Sequence, residues 1–341
     1  MVRVFFLSLA VLLAACKSDP VTLKFGGETM GTTYNIVALD KEGELDADTV
    51  KAAVEAKLAE VNGKMSNWDP NSEVSRFNAA ETTSPVKISA EFAYVMQAAN
   101  DIHEKSQKQF DVTLGPLIEL WGFGARTKDS PIPADEAIAN AQEIVGQTKI
   151  LALDVENNTL TKSLPGTSIY LAAIAKGYGV DAVAQTLRDQ GLSDYMVEIG
   201  GDLVTSGTNP EGDSWRIGIE RPDARVQTVE EIVQTTNVGL ATSGDYRNYF
   251  EEDGVRYSHI IDAQTGRPIT HGTASVTVLA ENAMLADGWA TALLVLGQER
   301  GLKIAEEEGL AVLFITRDST SEEVTFTTTT SSHFDGLQTK E

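Results

Sequence analysis

The succession of short alternating runs in the second half of the chain restricts its fold more than any other feature. Residues 195–205, 215–220, 232–233, 238–242, 257–262 and 275–279 read as half-buried strands, and most are separated by turns of hairpin length. Three stretches of helical spacing, 175–190, 282–296 and 299–308, are interleaved with them. Strands in tandem with helices grouped between them predict an α+β fold of mixed, largely antiparallel sheets packed with helices, because a regular β-α alternation would be needed for a parallel sheet. The first half agrees. Residues 21–25 and 33–39 form a hairpin-like opening around Gly26-Gly27 and Met30-Gly31. Val50, Val54, Leu58, Val61 and Met65 recur at helical spacing over 48–65. Phe92, Val95, Met96, Ala99 and Ile102 do so over 89–103 behind a Ser89 cap, and a third helix spans 134–145 with Asp135 and Glu136 in its first turn.

The N-terminus is of another kind. Arg3 precedes an almost wholly apolar run, residues 4–15, which is too short to span a bilayer needing about 20 residues. It ends at Leu13-Ala14-Ala15-Cys16, and Cys16 is the only cysteine, so no disulfide contributes to folding. That ending resembles the bacterial lipobox, which implies export, cleavage before Cys16 and lipidation of Cys16 to anchor the protein to a membrane facing the periplasm. An ordinary signal peptide, or a buried helix with an incidental cysteine, is the alternative. Residues 1–15 are then a leader, 16–24 a short tether, 25–320 the folded domain and 321–341 a polar C-terminal tail. A formal net charge of -23 repels phosphates and argues against nucleic acid as a partner. An anionic ligand therefore needs a local cradle of amides or a bound cation.

Several glycine-rich or sharply polar segments are candidates for such a site. Met30-Gly31 is flanked by Thr29 and Thr32, and Trp68 sits on a turn after a helix, either packed on its own loop or offering a stacking face. Phe110-Asp111-Val112-Thr113 and Gly115-Pro116-Leu117 precede Trp121-Gly122-Phe123-Gly124, which alone reads equally as a packed aromatic corner. Lys176 lies near the start of a helix, where amides and an ammonium suit an anion, although such a lysine is commonly just solvated. Glu198-Ile199-Gly200-Gly201-Asp202 ends a strand, and Ala241-Thr242-Ser243-Gly244-Asp245-Tyr246 follows another. His259 lies in Ser258-His259-Ile260-Ile261-Asp262, as a general base or as a satisfied strand residue. Asp287 and Thr291 stand four apart on one helix face, so their oxygens can converge on a hard cation. The alternative is a charge at a helix start and a hydroxyl bonded to its own helix.

The order and spacing of these segments resemble the FAD:protein FMN transferase (ApbE) family from about Gly26 to Ile315. The resemblance implies an ApbE-like, T-fold-like architecture. It also implies Mg²⁺-dependent covalent transfer of FMN from FAD to a threonine or serine of an exported acceptor, with release of AMP. Carried over by position, the metal site falls on the Ala173 carbonyl, Asp287 and Thr291, and the general base on His259. FAD contacts fall on Met30, Trp68, Phe110, Asp111, Tyr170, Lys176, Thr242, Ser243, Gly244 and Ile260. Many members carry an acidic residue where this chain has Tyr170, which must then hold the adenosine part by stacking or one hydroxyl. Acceptors carry a motif resembling D-x-x-[ST]-G-A-T and belong to respiratory or electron-transfer systems. Asp262-Ala263-Gln264-Thr265-Gly266-Arg267 departs from it at Arg267, so self-modification is not expected. Two other functions use the same residues: an FAD pyrophosphatase with water as acceptor, and a non-catalytic FAD-binding lipoprotein.

Overall fold

A computed structural model describes residues 20–123, 131–223, 228–318 and 324–338. Cys16 and the leader lie outside the described residues, as does Gly124. The chain opens with the hairpin β1 (Val21–Thr29) and β2 (Thr32–Asp40), then α1 (Ala47–Met65), α2 (Glu73–Ala79), β3 (Val86–Lys87) and α3 (Ala90–Lys105). There follow α4 (Gly115–Leu120), α5 (Asp135–Gln142), α6 (Gln147–Ile150), β4 (Leu151–Asp154), β5 (Thr159–Lys162) and α7 (Ala175–Asp189). The second half holds β6 (Asp194–Ile199), β7 (Asp202–Ser206), β8 (Trp215–Glu220), β9 (Val229–Thr235), β10 (Val238–Gly244), β11 (Tyr249–Glu252) and β12 (Val255–Ser258). It closes with β13 (Ile261–Asp262), β14 (Arg267–Pro268), β15 (Thr273–Ala280), α8 (Ala283–Glu308), β16 (Ala311–Asp318), β17 (Thr325–Thr330) and α9 (Ser332–Gln338).

Eight strands form the main sheet in the order β1-β2-β6-β7-β10-β15-β16-β17, and every neighbouring pair is antiparallel. Helices α7 and α8 cover it, and α1 and α3 pack outside them. The α+β expectation therefore holds. Two apolar clusters contribute side chains to a shared cavity. One gathers α3, α8 and the central strands and includes Phe110, Ile260 and Val295; the other holds Leu203, Ile217, Ile219 and Leu240.

Five sequence expectations are corrected. Gly26-Gly27 does not interrupt β1, because the Tyr34 ring on β2 lies where a side chain at Gly27 would go, 2.8 Å from an added Cβ. Since β1 begins at Val21, residues 21–24 belong to the sheet rather than to a tether. The 195–205 run is two strands, because Gly200 and Gly201 take φ of 55° and 95° and reverse the chain between β6 and β7. Residues 325–338 are likewise no loose tail: β17 pairs with β16 as the edge strand, and α9 follows with Phe334 buried. The strand is Thr325 and Thr327 to Thr330 around a single Phe326, so no alternation of apolar and polar residues marks it.

The 257–262 run also breaks. Strand β12 pairs with β11, while β13 pairs with β14, so the backbone changes partner at His259-Ile260. His259 is thus a junction residue, not a strand residue. The separation of 282–296 from 299–308 is real, because Gly297 interrupts α8 with φ 73° and ψ 169°.

Candidate active site

The site is assembled where α7 and α8 cross. Helix α7 starts without a side-chain cap of its own, and its Gly177 amide donates to Asp287 Oδ2 on α8 at 3.0 Å. The exchange is reciprocal. Asp181 on α7 accepts from the Ala283 and Met284 amides at the start of α8, at 2.9 and 2.8 Å. Each helix therefore satisfies the orphan donors of the other. Gly177 is required at the crossing, since an added Cβ would stand 2.2 Å from the Ala283 carbonyl oxygen and 2.8 Å from Asp287 Cβ.

This crossing buries Asp287 beside a second carboxylate, Asp202, which begins β7 directly after the Gly200-Gly201 turn. Asp202 is 1% exposed, and its Oδ2 lacks a hydrogen-bonded partner of good geometry although Lys176 Nζ lies 2.9 Å away. Lys176 also donates to the Gly200 carbonyl at 3.2 Å. Burial raises the pKa of Asp202 well above the ordinary carboxylate value and the charge of Asp287 adds to it, against Lys176. Burial raises Asp287 too, opposed by Lys176 and the Gly177 amide. For Lys176, burial works against the charge, but the two carboxylates outweigh it and its pKa is raised. Two buried carboxylates thus share one ammonium, an arrangement short of positive charge.

A cavity of about 560 Å³ opens over this cluster. Of the residues singled out in the sequence, Phe110, Asp111, Tyr170, Ala173, Lys176, Thr242, Ser243, Gly244, His259, Ile260, Asp287 and Thr291 line it. Ser243 and Thr291 hydroxyls meet at 3.0 Å. Asp287, Thr291, the Ala173 carbonyl and Asp202 supply only oxygen, which suits a hard divalent cation. Among the described residues no group of three His, Cys, Asp or Glu side chains forms a metal cluster. The oxygens here come from two carboxylates, a hydroxyl and a carbonyl instead.

Not every expected residue faces the cavity. Met30 occupies the β1–β2 turn at φ 51°, with its Cε packed over Gly179 of α7, and is not among the residues that line the cavity. Trp68 stands 71% exposed beyond the end of α1. Its neighbour Asn67 holds the backbone flanking Tyr170, donating to the Ile169 carbonyl and accepting from the Leu171 amide. Asp111 is on the wall, but its carboxylate accepts from the Thr113 amide and hydroxyl and from the Gln147 amide, so it is spent on its own turn. The ammonium of Lys176 faces carboxylates rather than standing free as an anion cradle.

His259 closes the other side. Its amide donates to the Asn248 carbonyl at 3.1 Å, and Nδ1 lies 3.0 Å from the same oxygen. A carbonyl only accepts, so Nδ1 carries the proton and Nε2 is left with its lone pair. Burial lowers the pKa of the ring, against the Asn248 carbonyl and Asp245. Phe123 meets the imidazole edge-on at 6.3 Å between centroids, and Phe250 and Tyr257 continue the aromatic stack to Trp121, whose Nε1 donates to the Gly266 carbonyl. The aromatic corner and the candidate base are therefore one structure.

The ApbE family model matches residues 30–314. This chain belongs to the ApbE family. Among ApbE relatives, the FAD:protein FMN transferase of Vibrio cholerae is 44% identical over 90% of this chain and 91% of its own. That of Escherichia coli is 34% identical over 94% and 93%. The solved structure of the V. cholerae flavin transferase ApbE superposes with a TM-score of 0.84 at 40% identity, covering 93% of this chain and 99% of that one. The Pseudomonas stutzeri flavinyl transferase ApbE in its apo form gives 0.84 at 37% identity, over 94% and 98%.

Sequence reasoning left Asp202, Asp181 and Gln109 without a role. Asp202 follows Gly200-Gly201 in sequence, but only the β6–β7 turn brings it to Asp287. Asp181 ends the glycine-rich segment that carries Lys176, but its bonds to the first amides of α8 appear only once the two helices cross.

Proposed function

We infer that this chain transfers FMN from FAD to a hydroxyl of an acceptor protein. The observation that carries the reading is the convergence in one cavity of an oxygen-rich, cation-deficient cluster and a histidine whose Nε2 is free to take a proton. Asp287, Thr291 and the Ala173 carbonyl, all from residues that line the cavity, fit Mg²⁺, and a cation would supply the positive charge that two buried carboxylates with one ammonium lack. When bound, Mg²⁺ neutralises charge on a pyrophosphate and on the departing phosphate.

The chain's own residues do the rest. Apolar residues from two core clusters enclose the ligand's flat groups and exclude water, which strengthens each charge interaction inside. Lys176 pairs with Asp202 and its charge offsets that of Asp287, and the Gly177 amide fixes Asp287 on the crossing. Asn248 sets the His259 tautomer, so that Nε2 accepts the proton of an acceptor threonine or serine as its oxygen attacks phosphorus, while AMP departs.

The apolar leader and Cys16 support export and lipid anchoring toward the periplasm. Five residues from Cys16 to Val21 allow a reach of at most about 18 Å between anchor and β1. A partner of the D-x-x-[ST]-G-A-T type, from a respiratory or electron-transfer system outside the cytoplasm, fits that placement. Incubating the protein with FAD, Mg²⁺ and a threonine-bearing acceptor domain tests the reading: flavin fluorescence must stay on the denatured acceptor band. FMN and AMP released without labelling would mean a pyrophosphatase; tight FAD binding with no AMP would mean a binding protein.

A further inference from the structure

Gln109 lies on the cavity wall next to Phe110 and is 1% exposed. Its amide and those of its two neighbours are all bonded. The Gln109 amide donates to the Ser106 carbonyl at 3.2 Å, the Phe110 amide to Ser106 Oγ at 3.0 Å, the Lys108 amide to the His103 carbonyl at 2.8 Å, and His103 Nδ1 to the Phe110 carbonyl at 2.6 Å. The turn that delivers it passes through two successive left-handed residues, Gln107 at φ 57° and Lys108 at φ 65°, neither of them glycine. Such strain persists where the surrounding structure enforces it, and it gathers at functional positions.

Against these bonded amides the side chain stands out. Neither Nε2 nor Oε1 of Gln109 has a hydrogen-bond partner among the described residues. A buried amide with both ends unpaired is costly, and an apolar side chain of the same length would fill the position without that cost. A ligand in the cavity that Gln109 lines can supply the missing partner.

We propose that Gln109 is a substrate-reading residue, whose amide pairs with the polar edge of one of the two nitrogen-containing rings of FAD. A carboxamide sets an acceptor and donors side by side in one plane, which matches a ring edge carrying a donor next to an acceptor. Adenine and isoalloxazine both have such an edge. Gln109 adjoins Phe110, which packs in one core cluster with Ile260 and Val295, whereas Leu203, Ile217 and Leu240 belong to another, so Gln109 would read the ring seated against the first cluster. Both polar atoms are shielded from water, so pairing takes a side-chain rotation on binding. The proposal rests on the reading that the cavity takes FAD.

The test is binding, measured apart from transfer, with Gln109→Met, which keeps length and removes both polar atoms. FAD affinity in Mg²⁺ is expected to fall about tenfold. The same loss is expected with only one of the two halves, FMN or ADP, and that half identifies the ring. The melting temperature of the ligand-free variant should equal or exceed that of the parent. Unchanged affinity for FAD, FMN and ADP would overturn the assignment, as would an equal loss with both halves or a drop of several degrees in the ligand-free protein. Gln109→Glu, of the same shape but lacking the donor, gives a second reading if the methionine variant folds poorly, and it too must weaken FAD. If the parent protein binds no FAD, the underlying reading fails; if only Gln109→Met binds normally, the role of Gln109 alone is refuted.

Discussion

Replacing Asp287 by asparagine separates the structural task of this side chain from its proposed metal task. The amide oxygen of Asn can still accept from the Gly177 amide, now 3.0 Å from Asp287 Oδ2, so the α7–α8 crossing should survive. What disappears is one negative charge from a buried cluster of two carboxylates and one ammonium. Both carboxyl groups have raised pKa values, chiefly from burial, so in the ligand-free protein their charge opposes folding at neutral pH, and that penalty fades as pH falls through their raised values. The variant without metal should therefore be no less stable than the parent. With Mg²⁺ at a hundred times its Kd, the parent gains about 2.7 kcal/mol by linkage. Spread over about 300 described residues, at an unfolding entropy of roughly 2.1 cal/mol/K each, that corresponds to about 4 °C in Tm. Differential scanning fluorimetry across a Mg²⁺ titration reads it directly. A parent that rises by this amount beside an Asp287→Asn protein that does not move is the expected result; an equal rise in both refutes the placement of the cation on Asp287.

His259→Ala should slow transfer by about 10²–10⁴-fold while FAD binding by fluorescence quenching changes little. In the parent, the rate should hold through pH 7 and fall on the acid side below about 6.5, because burial lowers the histidine pKa from that value and protonation fills Nε2; an acid limb above it would contradict the neutral imidazole. Gly177→Ala forces a Cβ to 2.2 Å from the Ala283 carbonyl oxygen, and chemical denaturation should show a loss of about 1–3 kcal/mol or more, with weakened Mg²⁺ response. Cys16→Ser should release the protein from membranes in a fractionation of cells, and retention would speak against the lipid anchor.

The fold class was legible because alternation and helical spacing are local properties. The helices beginning near Ala47, Ala90 and Ala175, and the break at Gly297, all show in their own residues. What escaped was pairing at a distance. Whether Gly26-Gly27 ends a strand depends on Tyr34 across the hairpin, and whether Tyr257 to Asp262 is one strand depends on which partners β11 and β14 offer. The candidate site divides the same way. Asp287 and Thr291 could be paired in advance because they share a helix face, whereas Asp202 joins them only through the sheet. Met30 shows the converse: it belongs to a conspicuous motif, but its left-handed turn carries it onto Gly179 instead of into the cavity. Gln109 carried no signal, since an unpaired amide is visible only once every neighbour is placed.

The decisive measurement is the balance of products when the protein, FAD and Mg²⁺ meet a threonine-bearing acceptor domain. Intact mass of the acceptor and chromatographic AMP should rise together, one AMP for each flavin that survives denaturation. AMP accumulating with free FMN and an unmodified acceptor, or an acceptor modified without AMP, would contradict transfer of FMN through attack on the pyrophosphate.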